Sequence, residues 1–152
     1  MTKKFEFTGE TKTIQLVSRT VTLHRIRAVA EFGLIKVGDI GGWLEKEENL
    51  SQEGESWVYG DAEVYGNARV YGNAKVFSAS HVMVIGAIGS RSDFTTFYRG
   101  KDQQIMVKCG CFNGNIDEFI NKVQETHGDN KYALAYRAAV EVAKLQIKLD
   151  DE

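Results

Sequence analysis

Between Val58 and Val76 the chain reads VYGDAEVYGNARVYGNAKV, three near-copies of a six-residue unit. This period constrains the fold more than any other feature. Counted by sixes from Val58, slot one holds Ile40, Lys46, Gln52, Val58, Val64, Val70, Val76, Val82 and Ile88. Slot five holds Leu44, Leu50, Ser56, Ala62, Ala68, Ala74, Ser80 and Gly86, and slot three holds glycine at residues 42, 54, 60, 66 and 72. Neither 3.6 nor 3.5 residues per turn divides six, so the repeat is not helical and suits an extended chain that turns at every unit. Slot one and slot five then point inward, and glycine with Asp or Asn supplies the corner. Three sides make one triangular coil, and coils stack at the strand spacing of about 4.8 Å. The expectation is a parallel β-helix over about residues 40–90. Val58 would stack between Ile40 and Val76, Val64 on Val82, and Val70 on Ile88.

Slot two carries Tyr59, Tyr65, Tyr71, Phe77 and Met83. These side chains should face outward on all three sides of a short stack. Bare aromatics on every side invite association, so flanking segments and a second subunit are both expected to cover them, giving a homo-oligomer.

The unit of aliphatic, Gly, two variable residues, a small residue and another variable one resembles the motif of the hexapeptide-repeat proteins. The resemblance implies a left-handed parallel β-helix. Many such proteins are trimeric acyltransferases with a histidine base between subunits. The one histidine within the repeat, His81, falls at the outward slot six, and a general base needs an orienting partner and a pocket. Neither is legible, so the reading is that the chain is not an enzyme, with an acyltransferase kept as an alternative.

The flanks have different patterns. Residues 3–29 read as a β meander: alternation around Phe5 and Phe7, a β-rich run from Ile14 to Val17, a turn at 17–20, and alternation again from Thr20 to Ala28. Beyond the repeat, residues 94–99 and 104–112 read as a hairpin joined across 100–102. A helix follows over 114–127, with Asn115 as cap, Asp117 and Glu118 at its positive end, and Gly128 as stop. A second helix runs from Asp129 or Asn130 to Ile147. Its apolar band, with Tyr132, Tyr136, Ala139, Val140 and Ala143 on one side and Leu134, Ala138 and Leu145 near the other, is broad enough for burial against more than one surface. The helical hairpin is expected to close the β-helix or to pack on its tyrosines. The organisation is therefore mainly β with C-terminal α, in one compact unit: 1–38 N-terminal strands, 39–93 repeat, 94–152 β-hairpin plus helical hairpin.

The 152 residues carry a formal net charge of −2, which provides no general pull towards long nucleic acid or an acidic membrane; any anion site must be local. No apolar run is long enough for a membrane helix, and the lysine-rich start lacks a signal peptide's apolar segment, so a cytoplasmic protein is the simplest reading. The two cysteines, Cys109 and Cys111, fall short of a structural zinc site. They share parity with Ile105 and Val107 and are read as buried thiols. No metal and no cofactor is expected.

Two places offer chemistry for a small anion. In the strand Thr20–Ala28, Val21, Leu23, Arg25 and Arg27 share a face, and an arginine fork suits phosphate. The stretch RSDFTTFYRGK, residues 91–101, adds Arg91, Arg99 and Lys101 for charge, Asp93 for polar contacts, and Phe97 for stacking. The competing reading is an ordinary hairpin strand with core aromatics and solvated arginines.

HRIRAVAEFGLIKVGDIGGWLEKEENLSQEG, GSRSDFTTFYRGKD and CGCFNGNIDEFINKVQETHGDNKYALAYRAA together resemble a group of small bacteriophage proteins. Among small phage proteins of similar make-up are the anti-Thoeris sponges, oligomers that sequester cyclic nucleotide immune signals without cleaving them. The resemblance implies a non-enzymatic protein in the infected cell's cytoplasm that binds a cyclic nucleotide or cyclic ADP-ribose type of ligand, with Arg27 the most plausible single carry-over. A structural phage assembly protein is the other alternative.

Overall fold

The computed structural model describes residues 3–100 and 103–149. It is mainly β, in several sheets, with two helices at the C-terminal end. The N-terminal segment forms two strands, β1 (Phe5–Gln15) and β2 (Thr20–Ala28), paired antiparallel. A register shift of two residues between Phe7 and Thr11, with Gly9 at φ 98°, bulges β1 without ending it or changing its alternation. By alternation Phe5 faces one core while Ile14, on the other face, packs beside Val21, Leu23 and Trp43. The alternation at 5–7 and the run at 14–17 thus belong to one bulged strand and its turn.

β3 (Ile40–Leu44) pairs antiparallel with β2 and parallel with β5 (Glu63–Val64), while β4 (Trp57–Val58) pairs parallel with β6 (Lys75–Val76). The inward slots behave as the pattern requires from Val58 on. Val58, Val64, Val70 and Val76 are buried, as are Ala62, Ala68 and Ala74. Upstream the register slips. Leu44 pairs with Val64 and Leu50 bridges to Val70, twenty residues apart, whereas Val58 pairs with Val76, eighteen apart. Leu44 and Leu50 therefore do the work expected of Lys46 and Gln52, and Ile40 is 53% exposed rather than stacked under Val58. The cause is residues 51–56, which loop out two residues more than a hexad holds. Lys4 fixes this loop: its ammonium donates to the Ser56 carbonyl at 2.7 Å, to Ser56 Oγ at 3.2 Å and to the Glu53 carbonyl at 3.4 Å. Buried Asn49 ties the neighbouring corner, donating to the Gly66 and Ala68 carbonyls at 3.2 and 2.9 Å. Gly42 allows a close approach of β3 to the repeat, since a Cβ there would lie 2.5 Å from the Ala62 carbonyl oxygen.

The repeat also ends sooner than its spacing suggests. Ser78 replaces the corner glycine, its hydroxyl accepts from the Ser80 amide at 3.2 Å, and a short 3-10 turn brings His81 inward. His81 is fully buried and its Nδ1 accepts from the Phe77 amide at 3.0 Å, so the outward position expected for it is corrected. β7 (Val82–Ile88) then pairs antiparallel with β8 (Asp93–Arg99). Val82 opposes Tyr98 and Ile88 opposes Asp93, so neither extends the repeat's parallel ladder.

The second sheet has the order β10-β9-β8-β7, with β9 (Ile105–Cys109) and β10 (Phe112–Asn115) joined by a tight turn at Gly110–Cys111. The strand expected to run to residue 112 breaks there because Gly110 takes φ 57°, suited to a two-residue hairpin. That turn leaves Cys111 exposed and Cys109 half-buried, correcting the reading of two buried thiols. α1 (Ile116–His127) starts at Asn115, whose side chain accepts from Glu118 N at 2.8 Å while Glu118 accepts from Asn115 N at 2.9 Å. α2 (Lys131–Gln146) is capped by Asn130.

β8 and β9 serve two cores at once. Even-numbered Tyr98 and Met106 join the repeat's core, and the Arg69 amide donates to Thr96 Oγ1 at 3.0 Å. Odd-numbered Phe97 and Val107 join Phe119, Val123, Tyr136 and Val140 of the helices. The helical hairpin therefore packs on the second sheet, not on the tyrosines.

Candidate functional site

The candidate anion-binding residues do not converge. Arg25 lies over the Trp43 ring at 4.7 Å and donates to the Gly60 carbonyl at 3.1 Å and to Asp61 at 3.3 Å. Arg27, its near neighbour on β2, forms an ion pair with Glu6 across the β1–β2 ladder. Both are matched within the chain, Arg27 across the sheet and Arg25 at the corner between β4 and β5. Arg99 is buried, donates to the Lys75 carbonyl at 2.9 and 3.2 Å, and covers the Phe77 ring at 5.1 Å. Its guanidinium holds β8 to β6. Phe97 is fully buried against Phe119, with centroids 6.2 Å apart, so the stacking role assigned to it is corrected: no face of that ring is open to a ligand. Lys101 lies outside the described residues.

Arg91 and Asp93 are placed differently. Both are exposed, at the turn from β7 into β8, and both border a cleft of about 320 Å³ between the second sheet and the helices. The β9–β10 turn forms the second wall with Cys109 and Cys111, and α1 forms the third with Lys122, Thr126 and His127. Phe112, Phe119 and Tyr136 make the floor. The floor rings hold one another: Phe119 meets Phe112 and Tyr136 at 5.5 Å, and His127 stacks on Tyr136 at 6.0 Å. Periodicity missed this site because it joins a turn, a second turn and a helix that are distant in sequence. The available signal was the glycine at each turn.

Gly89 is required by this floor. A Cβ there would lie 1.8 Å from the Tyr136 hydroxyl, and its φ is 81°. Burial first, and then the Cys109 thiol beside it, push the Tyr136 phenol up to about 12; Asp93 adds to the rise and Arg91 opposes it. At neutral pH this phenol is therefore a hydrogen-bond donor held at the cleft floor. Among the described residues Arg91 has no hydrogen-bond or ion-pair partner, and Lys122 has only the long 3.9 Å contact with Glu125. Such an arrangement can hold a small anion that carries a ring: two cations for charge, a phenol and threonine for hydrogen bonds, aromatic faces for stacking, and Asp93 for a ligand hydroxyl.

Of the outward tyrosines, Tyr71 borders a separate cleft of about 690 Å³ in which Lys3 and Arg69 are outnumbered by Glu47, Glu48 and Glu53. Tyr65 packs with Val21, Leu23 and Trp43, Tyr71 lies under Lys108 at 4.5 Å, and Tyr59 stacks on Phe77 at 4.3 Å. One copy's own flanks half-bury all three, so their coverage does not require a partner. No helix among the described residues is long and apolar enough to cross a membrane.

No family model matches the sequence. Over 41 residues, 27% of this chain, it is 39% identical to the uncharacterized acetyltransferase YdcK of Escherichia coli (strain K12). The match spans 13% of that protein's length and hints at the hexapeptide-repeat family.

Proposed function

We propose that the repeat is a scaffold, an abbreviated parallel β-helix of fewer than two full coils, and that the cleft beside Arg91 binds and sequesters a small anionic, nucleotide-type ligand without altering it. The observation that carries this reading is the pairing of Arg91, free of protein partners among the described residues, with an aromatic floor in a cleft of small-molecule size. Asp93 would accept from a ribose hydroxyl, while Arg91 and Lys122 would take phosphate oxygens. The imidazole of His127 and the ring of Phe112 offer the stacking surface first sought in Phe97.

The partial match to an acetyltransferase favours acyl transfer as a second reading. Coenzyme-bound acyl donors are themselves anionic nucleotide derivatives, so the two readings share a ligand class and differ in turnover. Against transfer stands His81, the histidine of the repeat, which is buried and accepts a backbone hydrogen bond.

Calorimetry with cyclic nucleotides, ADP-ribose derivatives and acetyl-coenzyme A separates these cases. The sequestration reading expects one of them to bind and to be recovered unchanged after heat denaturation. Charge-assisted contacts contribute about 1.5–3 kcal/mol, so Arg91→Ala should weaken binding roughly tenfold or more. Release of free coenzyme A thiol in the presence of an acceptor would replace sequestration by acyl transfer.

A further inference from the structure

α2 buries one face, through Ala133, Tyr136, Ala139, Val140 and Ala143, and presents a second apolar stripe to the outside. Leu134 is 59% exposed, Val142 43% and Leu145 87%, with small Ala138 between them. Successive members lie three or four residues apart, so they form one continuous line along the helix. Beside it runs a groove of about 490 Å³ between α1 and α2, lined by Ile116, Ile120, Asp117, Arg137, Glu141 and Lys144.

We propose that this face is a twofold interface between two copies of the chain, with the α2 helices crossing antiparallel. In that direction the stripe is self-complementary and the groove-side charges of the two copies meet. About a twofold axis midway along α2, Leu134 of one copy meets Leu145 of the other, and Ala138 meets Val142 with little bulk between the backbones. On the groove side, Arg137 of one copy falls opposite Glu141 of its mate. A parallel pair would instead turn the groove side of one helix towards the opposite flank of the other, and Arg137 would not meet Glu141. The groove's own charges, Asp117 and Glu141 against Arg137 and Lys144, are balanced in sign. That suits an identical surface turned through a twofold better than a ligand of one charge. A single helix pair buries less than the roughly 800 Å² per partner typical of a stable dimer. The adjoining groove is what enlarges the contact, and the association should be concentration-dependent in the micromolar range.

Sedimentation of the full chain across micromolar concentrations tests this. The proposal expects a monomer–dimer equilibrium that Leu134→Glu with Leu145→Glu shifts to monomer by at least a hundredfold in dissociation constant. Circular dichroism of that variant should match the parent, because both side chains already face solvent. Ala138→Glu, at the centre of the stripe, is a second variant with the same expected result. In a background with Cys109→Ser and Cys111→Ser, mixing Leu134→Cys with Leu145→Cys should give an oxidised heterodimer, while either variant alone should not cross-link. A monomer at every concentration, a dimer indifferent to these substitutions, or cross-linking of Leu134→Cys to itself would each overturn the antiparallel interface.

Discussion

The chain's two cores meet at one strand and are built by opposite means. The core under the repeat is made of short aliphatic and alanine side chains in register, tied by buried polar pins: Asn49, Lys4 and the Arg99 guanidinium. The core under the helices is made of aromatic rings set edge to face, Phe97, Phe119 and Tyr136 among them. Stacked small side chains fill the space inside the repeat, and the cleft of about 690 Å³ beside Arg69 and Tyr71 carries Glu47, Glu48 and Glu53, which disfavour an anion. Large rings between a twisted sheet and two helices fit less regularly, and a cleft remains where two turns and a helix end meet. The regular region is thus suited to holding shape and the irregular one to holding a ligand.

The largest expected effect would break the regular side. Val70 is fully buried and bridged to Leu50, so Val70→Asp places an unpaired charge where nothing can solvate it. The cost is several kcal/mol, comparable with the whole stability of a domain this size. Loss of the cooperative thermal transition is the expected outcome.

A cut on the irregular side asks whether the cores are one unit. Phe119→Ala should cost about 3–4 kcal/mol by opening a cavity among the rings. Both tryptophans, Trp43 and Trp57, lie in the repeat's half, whereas the helices lie in the other. Because β8 gives Tyr98 to one core and Phe97 to the other, tryptophan fluorescence and helical circular dichroism should shift together in this variant. Separate transitions would show two independent units.

Much of this was legible from sequence, for local reasons. Asn115, Gly128 and Asn130 punctuate the helices as their chemistry dictates, and the inward valines of the clean copies follow from spacing alone. The slip at residues 51–56 left a trace, Lys46 and Gln52 in the aliphatic slot with Leu44 and Leu50 in the small one, but the glycines at 42 and 54 keep the count by six and masked it. The candidate site was half visible. Arg91 and Asp93 were singled out, but so were Phe97 and Arg99, because strand alternation alone does not say that both faces of β8 are covered.

A smaller effect concerns the pin between β1 and the looped-out residues. Burial lowers the Lys4 pKa from 10.5 to about 8. Between those values the unfolded chain holds a proton that the folded one has released, so stability rises with pH across that window. The rise attributable to Lys4 is at most about 3 kcal/mol. It should be absent in Lys4→Met, as measured by denaturant unfolding of both proteins from pH 8 to 10.

The division between scaffold and site is tested most directly by binding to two arginine variants. In calorimetry with whichever nucleotide-type ligand binds the parent, Arg91→Ala should weaken affinity roughly tenfold or more. Arg27→Ala, which loses only its pair with Glu6 on the N-terminal sheet, should bind as the parent does. Weakened binding in Arg27→Ala with Arg91→Ala unaffected would move the site to the N-terminal sheet and contradict the account.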